Sequence, residues 1–146
     1  MSGERRRVLG IDPGERRVGI AVSDPLGITA QGLATFDRAR GDIVEHVRGL
    51  VREYDVERIV VGRPLSLAGR ETDSTRRAED LARALAALTV PVDLWDERLS
   101  SVEAQRVLAG ARAGKGAVDR IAAVLILQGY LDARSGARTP EELDDA

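Results

Sequence analysis

Four carboxylate residues occupy positions where an ionised side chain is costly unless the fold compensates it. Asp12 ends a short apolar run near the start of the chain, and Asp96 and Glu97 end a later one. Asp119 lies four residues before Ala123 in an apolar segment, so a helix there would place both residues on one face. Because burial of a bare carboxylate is unfavourable, we expect these acids to converge on a shared partner.

A divalent cation is the partner that suits such a cluster. Carboxylates brought close together raise one another's pKa, and Mg²⁺ or Mn²⁺ relieves that repulsion by taking oxygen ligands. Two such ions about 4 Å apart stabilise the attacking and the leaving oxygens in phosphoryl transfer. We therefore interpret Asp12, Asp96, Glu97 and Asp119 as a metal site, with Lys115 placed to reach the scissile phosphate. The structural alternative is that Asp12 belongs to a turn and Asp96 caps a loop.

The composition excludes several other kinds of site. The chain has no cysteine, hence no disulfide, thiolate zinc site or cysteine nucleophile, which fits a reducing cytoplasm. His46 is the only histidine, so a Ser-His-Asp triad would have to include it, and its predicted helical position favours a solvent-facing side chain. No apolar run reaches the ~20 residues of a membrane helix, and the charged start is unlike a secretory signal. The sequence predicts a cytoplasmic protein without a membrane partner.

The charge distribution favours a polyanionic partner more than the net charge of −2 indicates. Residues 135–146 hold one arginine and four acids, so the rest of the chain has 21 basic and 20 acidic residues. All basic residues except Lys115 are arginines, which contact phosphate in bidentate geometry, although a biased genome composition explains this preference equally well. The candidates for a phosphate-binding rim are Arg16, Arg17, Arg63, Arg70, Arg76, Arg77 and Arg98. Four of them adjoin the acids and are assigned to nucleic-acid binding: Arg16, Arg17, Arg63 and Arg98. Arg98 could instead form a salt bridge with Glu97 or Asp96.

The elements that must position these residues follow the pattern of an α/β fold. Three strands with short connections predict an antiparallel meander, and later strands that alternate with helices predict parallel βα units. The result is a mixed five-stranded sheet with helices on both faces. The predicted strands are 7–12, 18–23, 29–36, 58–62 and 90–95, and the predicted helices are 43–54, 75–88, 100–108 and 117–134. Residues 1–134 form one domain, and the acidic residues 135–146 are predicted to be a disordered tail.

Four motifs, in order over about residues 7 to 132, resemble those of the YqgF/RuvX family. They are VLGIDPG with RVGIAVSD at 8–24, IVVGRPL with a later glycine at 59–69, DERLS with VEA at 96–104, and Lys115, Asp119 and the apolar run through 131. Members are described as candidate Holliday junction resolvases and as nucleases that process the 5′ end of pre-16S ribosomal RNA, on a ribonuclease H-like fold related to RuvC. The resemblance implies that the catalytic acids are Asp12, Asp119 and one or both of Asp96 and Glu97.

The sequence departs from the family pattern at places that bear on the site. Arg63 stands where the family often has an apolar residue. RuvC-type enzymes carry their second acid at the end of the fourth strand, where this chain has Gly62 and Arg63, so Asp96 or Glu97 must supply it from the fifth. The loop before the last acid has few basic residues besides Lys115, which weakens the expectation that this loop grips phosphate.

Three classes of function compete. The first is a two-metal endonuclease acting on structured nucleic acid, either precursor rRNA in ribosome biogenesis or branched DNA in recombination and repair. Aromatic residues are only 3% of the chain, which favours recognition of backbone shape over base stacking. The alternatives are a non-catalytic, nucleic-acid-binding ribosome-assembly factor and an actin-like nucleotide-binding domain. Resolving a junction needs two symmetric cuts and hence a homodimer, whereas trimming rRNA needs one cut.

Overall fold

A mixed β-sheet with helices on both faces forms the fold, in a computed structural model that describes residues 7–64, 68–97 and 115–136. For residues 115–119 and 136 it describes the backbone only. The strands are β1 (Arg7–Pro13), β2 (Arg17–Ser23), β3 (Ala30–Gly32), β4 (Phe36–Asp37), β5 (Val56–Arg63) and β6 (Val92–Asp96). The helices are α1 (Ile43–Tyr54), α2 (Asp73–Leu85) and α3 (Lys115–Gly136), with a short 3₁₀ turn at Arg38–Arg40.

The strand order is β3-β2-β1-β5-β6, with β4 also paired to β2. The pairs β1–β2, β2–β3 and β2–β4 are antiparallel, whereas β1–β5 and β5–β6 are parallel. This confirms the predicted meander followed by parallel βα units. The central strands carry β-branched and leucine side chains that are buried on both faces, as the run at 58–62 predicted.

The predicted third strand is divided into β3 and β4, so the sheet has six strands among the described residues instead of five. Gly32 pairs with Ala21 and Phe36 pairs with Val18. Between these two pairs, the chain advances four residues from Gly32 to Phe36 but only three from Val18 to Ala21. The extra residue interrupts the strand pairing as a β-bulge does. Hydrophobic alternation does not reveal one inserted residue, which is why a continuous strand was expected.

The first two helices begin at side-chain caps. Asp42, the predicted N-cap of α1, accepts a hydrogen bond from the backbone of Val44 at 2.8 Å. Helix α2 begins earlier than predicted, because Thr72 and Thr75 form a reciprocal capping box before Ser74 is reached. It also ends at Leu85, three residues before the predicted end.

Two apolar layers hold the helices on the sheet. Helices α1 and α2 cover the face that carries Leu9, Ile11 and Ile59, and α3 covers the face that carries Val8 and Val60. Helix α3 lies close to β1 and β5 because glycines face it. A Cβ atom placed on Gly10 would lie 2.6 Å from Cβ of Leu127, and one on Gly62 would lie 2.5 Å from Cδ1 of Ile126.

Some predictions fall on residues that the structure does not describe, and others differ from the structure in detail. The helix at 100–108 and the acidic residues from 137 onward lie outside the described residues, and α3 extends through Gly136, beyond the expected boundary at 134. The prediction that His46 faces solvent is wrong, because its ring stacks on Phe36 at 4.4 Å between centroids and is half-buried. Among the described residues no helix is both long and apolar enough to span a membrane.

Candidate active site

The carboxyl ends of three parallel strands bring the acids of β1 and β6 to one edge of the sheet. Strand β5 lies between them, with Val61 paired to Ile11 and Arg63 paired to Asp96. Successive side chains of a strand point to opposite faces, so Asp12 lies on the same face of β1 as Val8 and Gly10. This is the face that α3 covers. Ligands of open α/β sheets collect at this edge.

Glu97 follows β6 directly and turns toward the centre of this edge. Its Oε2 atom lies 3.1 Å from the place that a Cβ atom on Gly62 would take, so the absence of a side chain on Gly62 leaves room for the carboxylate. Burial, followed by the negative charges of Asp12 and Asp96, raises the pKa of Glu97 to about 7. The three carboxyl groups are thus close enough to repel one another.

The chemistry of these groups fits a divalent cation, because a cation would remove a repulsion that the protein otherwise relieves by protonating Glu97. Among the described residues, no group of three or more Asp, Glu, His or Cys side chains has the geometry to bind a metal ion as it stands. Asp12 and Asp96 each take part in further interactions within the protein. Any metal site here therefore needs a ligand or an adjustment beyond the described side chains.

Asp119, the fourth predicted ligand, is known in position only. It lies in α3, four residues before Ala123, whose backbone oxygen is 3.4 Å from a Cβ atom placed on Gly10. Its side chain is outside the described residues, as is that of Lys115, the first residue of α3. The structure thus brings Asp12, Asp96 and Glu97 together and leaves the Asp119 assignment a prediction.

The predicted phosphate-binding arginines differ in their surroundings. Arg63 donates hydrogen bonds to Glu79 at 3.0 Å and to Glu71 at 3.1 Å, so contact with a phosphate requires it to leave at least one of them. The Arg16 side chain is 72% exposed and lies 3.9 Å from the carboxylate of Asp37. Arg17 is half-buried in β2, and Arg98 lies outside the described residues.

Arg38 is a basic residue at the β1–β2 turn that sequence analysis missed. Its Nε donates a hydrogen bond to the backbone oxygen of Gly14 at 3.1 Å, and its backbone N–H donates to the oxygen of Arg16 at 2.9 Å. Gly14 lies only two residues after Asp12. Nothing in the sequence except its positive charge marks Arg38, because its placement depends on how the segment after β4 folds back on the β1–β2 turn.

Comparison with known sequences gives consistent matches along the chain. The sequence pattern of the RuvX family, described as Holliday junction resolvase, matches residues 6–133. A protein of Syntrophus aciditrophicus (strain SB) named "Putative pre-16S rRNA nuclease" is 48% identical over 147 residues, covering 96% of this chain and 97% of that protein. A protein of Koribacter versatilis (strain Ellin345) with the same name is 47% identical, covering 88% of each.

Comparison with solved structures shows the fold. The structure of Thermus thermophilus RuvC in complex with Holliday junction substrate matches with a TM-score of 0.58 and 18% identity, over 90% of this chain and 96% of that one. Another structure of RuvC from the same organism matches with a TM-score of 0.57. The predicted ribonuclease H-like fold is confirmed, and identity this low carries no statement about substrate.

Proposed function

Since the chain belongs to the RuvX family, we propose that it is a metal-dependent endonuclease that hydrolyses phosphodiester bonds in structured nucleic acid. The observation that carries the proposal is the meeting of Asp12, Asp96 and Glu97 at the carboxyl edge of the parallel strands, with Glu97 largely buried and repelled by the other two charges. A cluster of this kind has no evident structural purpose, because it places mutually repelling groups together.

The residues would act as follows. Asp12, Glu97 and Asp119 are the proposed catalytic ligands, and Asp96 is a ligand or a neighbour that sets the charge of Glu97. Mg²⁺ or Mn²⁺, when bound, would offset the charge that develops on the phosphate in the transition state. With a pKa of about 7, Glu97 is protonated in about half of the molecules at neutral pH when no cation is present, and it can release that proton as the site fills.

Precursor 16S rRNA is the substrate that the relatives favour, because both carry that substrate in their names. A four-way DNA junction is the second candidate, since the family description names a Holliday junction resolvase. The two differ in what they demand of the protein. Two symmetric cuts across a junction need a homodimer, whereas one cut in an RNA can be made by a monomer.

The test offers the purified protein a labelled precursor 16S rRNA fragment and a labelled four-way junction side by side, with Mn²⁺, Mg²⁺ or EDTA. We expect metal-dependent cleavage of at least one substrate, and a loss of at least about 100-fold in rate for Asp12→Asn and for Glu97→Gln, because each removes a charged ligand. Asp55→Asn is the matched control, since Asp55 is an exposed acid in a left-handed turn at the end of α1, where asparagine is tolerated.

Cleavage that survives Asp12→Asn would reject the assignment of the site. Metal-independent binding of RNA without cleavage by the wild-type protein would instead support the non-catalytic assembly factor. Hydrolysis of ATP without nuclease activity would support the actin-like alternative.

A further inference from the structure

An open cleft with a volume of about 390 Å³ lies beside the β1–β2 turn, on the opposite face of the sheet from α3. Its apolar wall is formed by Ile43 of α1 and Leu81 of α2, both packed in the core of that face. Three arginines line it: Arg38 after β4, and Arg76 and Arg77 on α2. Elements distant in sequence thus bring their guanidinium groups to one concave surface.

Arg38 is placed in a way that leaves a strong donor unsatisfied. Its Nε is bound to Gly14, but its Nη2 is buried and meets no hydrogen-bond acceptor among the described residues. A buried charged donor without an acceptor is costly. Burial and the positive charge of Arg77, which lines the same cleft, both lower the pKa of Arg38. An anion bound in the cleft would offset the repulsion between the positive charges of Arg38 and Arg77.

The two acids that line the cleft, Asp73 and Asp80, offset only part of the charge of its three arginines. Asp80 is bound to Arg83, which does not line the cleft, at 2.9 Å. Asp73 lies in the first turn of α2, where a negative charge is favoured by the helix dipole. The acid nearest to Arg77 is Glu15, at 3.9 Å and with a side chain 88% exposed, so solvent weakens the pair.

The cleft is joined to the candidate active site through a short stretch of backbone. Gly14, which holds Arg38, is two residues after Asp12, so their Cα atoms are at most about 7 Å apart. The side chain of Asp12 belongs to the α3 face, whereas the cleft lies on the α1–α2 face. A polymer crossing this edge of the sheet would reach both.

We propose that Arg38, Arg76 and Arg77 form a phosphate subsite that holds a backbone phosphate of the nucleic-acid substrate away from the bond that is cut. The proposal rests on the proposed nuclease function for the identity of the polymer. The chemistry of the cleft, where three planar guanidinium groups face two carboxylates, favours a phosphate group.

The experiment measures binding of a fluorescein-labelled precursor 16S rRNA fragment by anisotropy in EDTA at several salt concentrations. Arg77→Gln and the double variant Arg76→Gln/Arg77→Gln are compared with Arg48→Gln on α1, an arginine paired with the exposed Glu45 of the same helix. We expect Arg77→Gln to weaken binding about tenfold and to lower the slope of log affinity against log salt by about 0.7 to 0.9. Arg48→Gln should change neither quantity.

Cleavage kinetics and inorganic phosphate provide further readouts. At saturating RNA the Arg77→Gln variant should retain the wild-type kcat and show a raised KM, since the subsite holds substrate without touching the reacting atoms. Arg38→Gln also loses the hydrogen bond to Gly14, so its binding data are used only if its Tm equals that of the wild type. If the Tm falls, the Arg77→Gln variant alone tests the subsite. Inorganic phosphate, followed by ³¹P line broadening, should bind the wild type more tightly than Arg77→Gln.

Wild-type affinity and salt slope in the double variant would overturn the subsite, even if the wild type cleaves RNA. Phosphate binding that depends on Arg77, combined with unchanged RNA binding, would overturn the assignment to the polymer backbone and indicate a free phosphate ligand. Binding of RNA that depends on Arg77, with no cleavage of any substrate, would support the subsite and reject the nuclease proposal alone.

Discussion

Glu97 is buried beside two other carboxyl groups, and this makes its protonation part of the stability of the protein. Because the pKa of Glu97 is raised in the folded protein, protonation of this group contributes to the free energy of unfolding. The contribution is complete below about pH 4.5 and is lost as the pH rises through about 7. Without metal, the ionised form of Glu97 therefore weakens the folded state at alkaline pH.

Glu97→Gln should accordingly stabilise the metal-free protein at pH 8, because glutamine resembles the protonated acid. The expected gain in the free energy of unfolding is roughly 2 to 3 kcal/mol at pH 8 and near zero at pH 4. Urea denaturation in EDTA at both pH values measures it. Glu53→Gln, at an exposed position on α1, is the control. A variant less stable than the wild type at pH 8 would show that another group compensates the Glu97 charge.

At this scale, sequence reasoning located residues better than it described their surroundings. Asp12 and Asp96 were placed correctly because a strand end is recognisable from the apolar run before it. The ion pairs of Arg63 with Glu79 and Glu71 were not predicted, since they depend on how α2 and the segment before it lie beside β5. The stacking of His46 on Phe36 was missed for the same reason.

At the scale of elements, the approach of α3 to the sheet depends on the glycines beneath it. Gly10→Ala should destabilise the protein by about 1 to 3 kcal/mol, because the new Cβ meets the Cβ of Leu127, which moves only if α3 moves. Thermal denaturation would measure the change. Gly49→Ala in α1 is the control: its Cβ enters open space, so it should stabilise the helix by about 0.5 to 1 kcal/mol. Equal Tm values for Gly10→Ala and the wild type would mean that α3 is not held this closely.

Element boundaries were predictable where a local signal defines them. Helix α1 begins and ends as expected because Asp42 caps it and an apolar stripe runs along it. The division between β3 and β4 was not predictable, because a one-residue shift in pairing with β2 leaves the hydrophobic pattern almost unchanged. Helix α3 was recognised by its apolar residues, and its close packing on Gly10 and Gly62 appears only when the strands are paired.

For the whole molecule, charge is distributed unevenly along the chain, and the acidic end opposes binding of a polyanion. Ending the chain at Gly136 removes one arginine and four acids. The shortened protein should bind RNA about two- to fivefold more tightly at low salt, and the difference should vanish at high salt. Anisotropy titrations measure this. A full-length variant with the four acids changed to amides separates charge from length, and equal affinity of all three proteins at low salt would contradict the prediction.

The order of elements also matters during synthesis. Among the described elements helix α3 is made last, yet it covers Val8, Ala21 and Val60, which lie in strands made much earlier. While the ribosome is still adding the final residues, one face of the sheet is therefore bare and apolar on the nascent chain. Such a face is prone to aggregate until its cover arrives. We expect translation that stops before α3 to yield an insoluble product that chaperones retain.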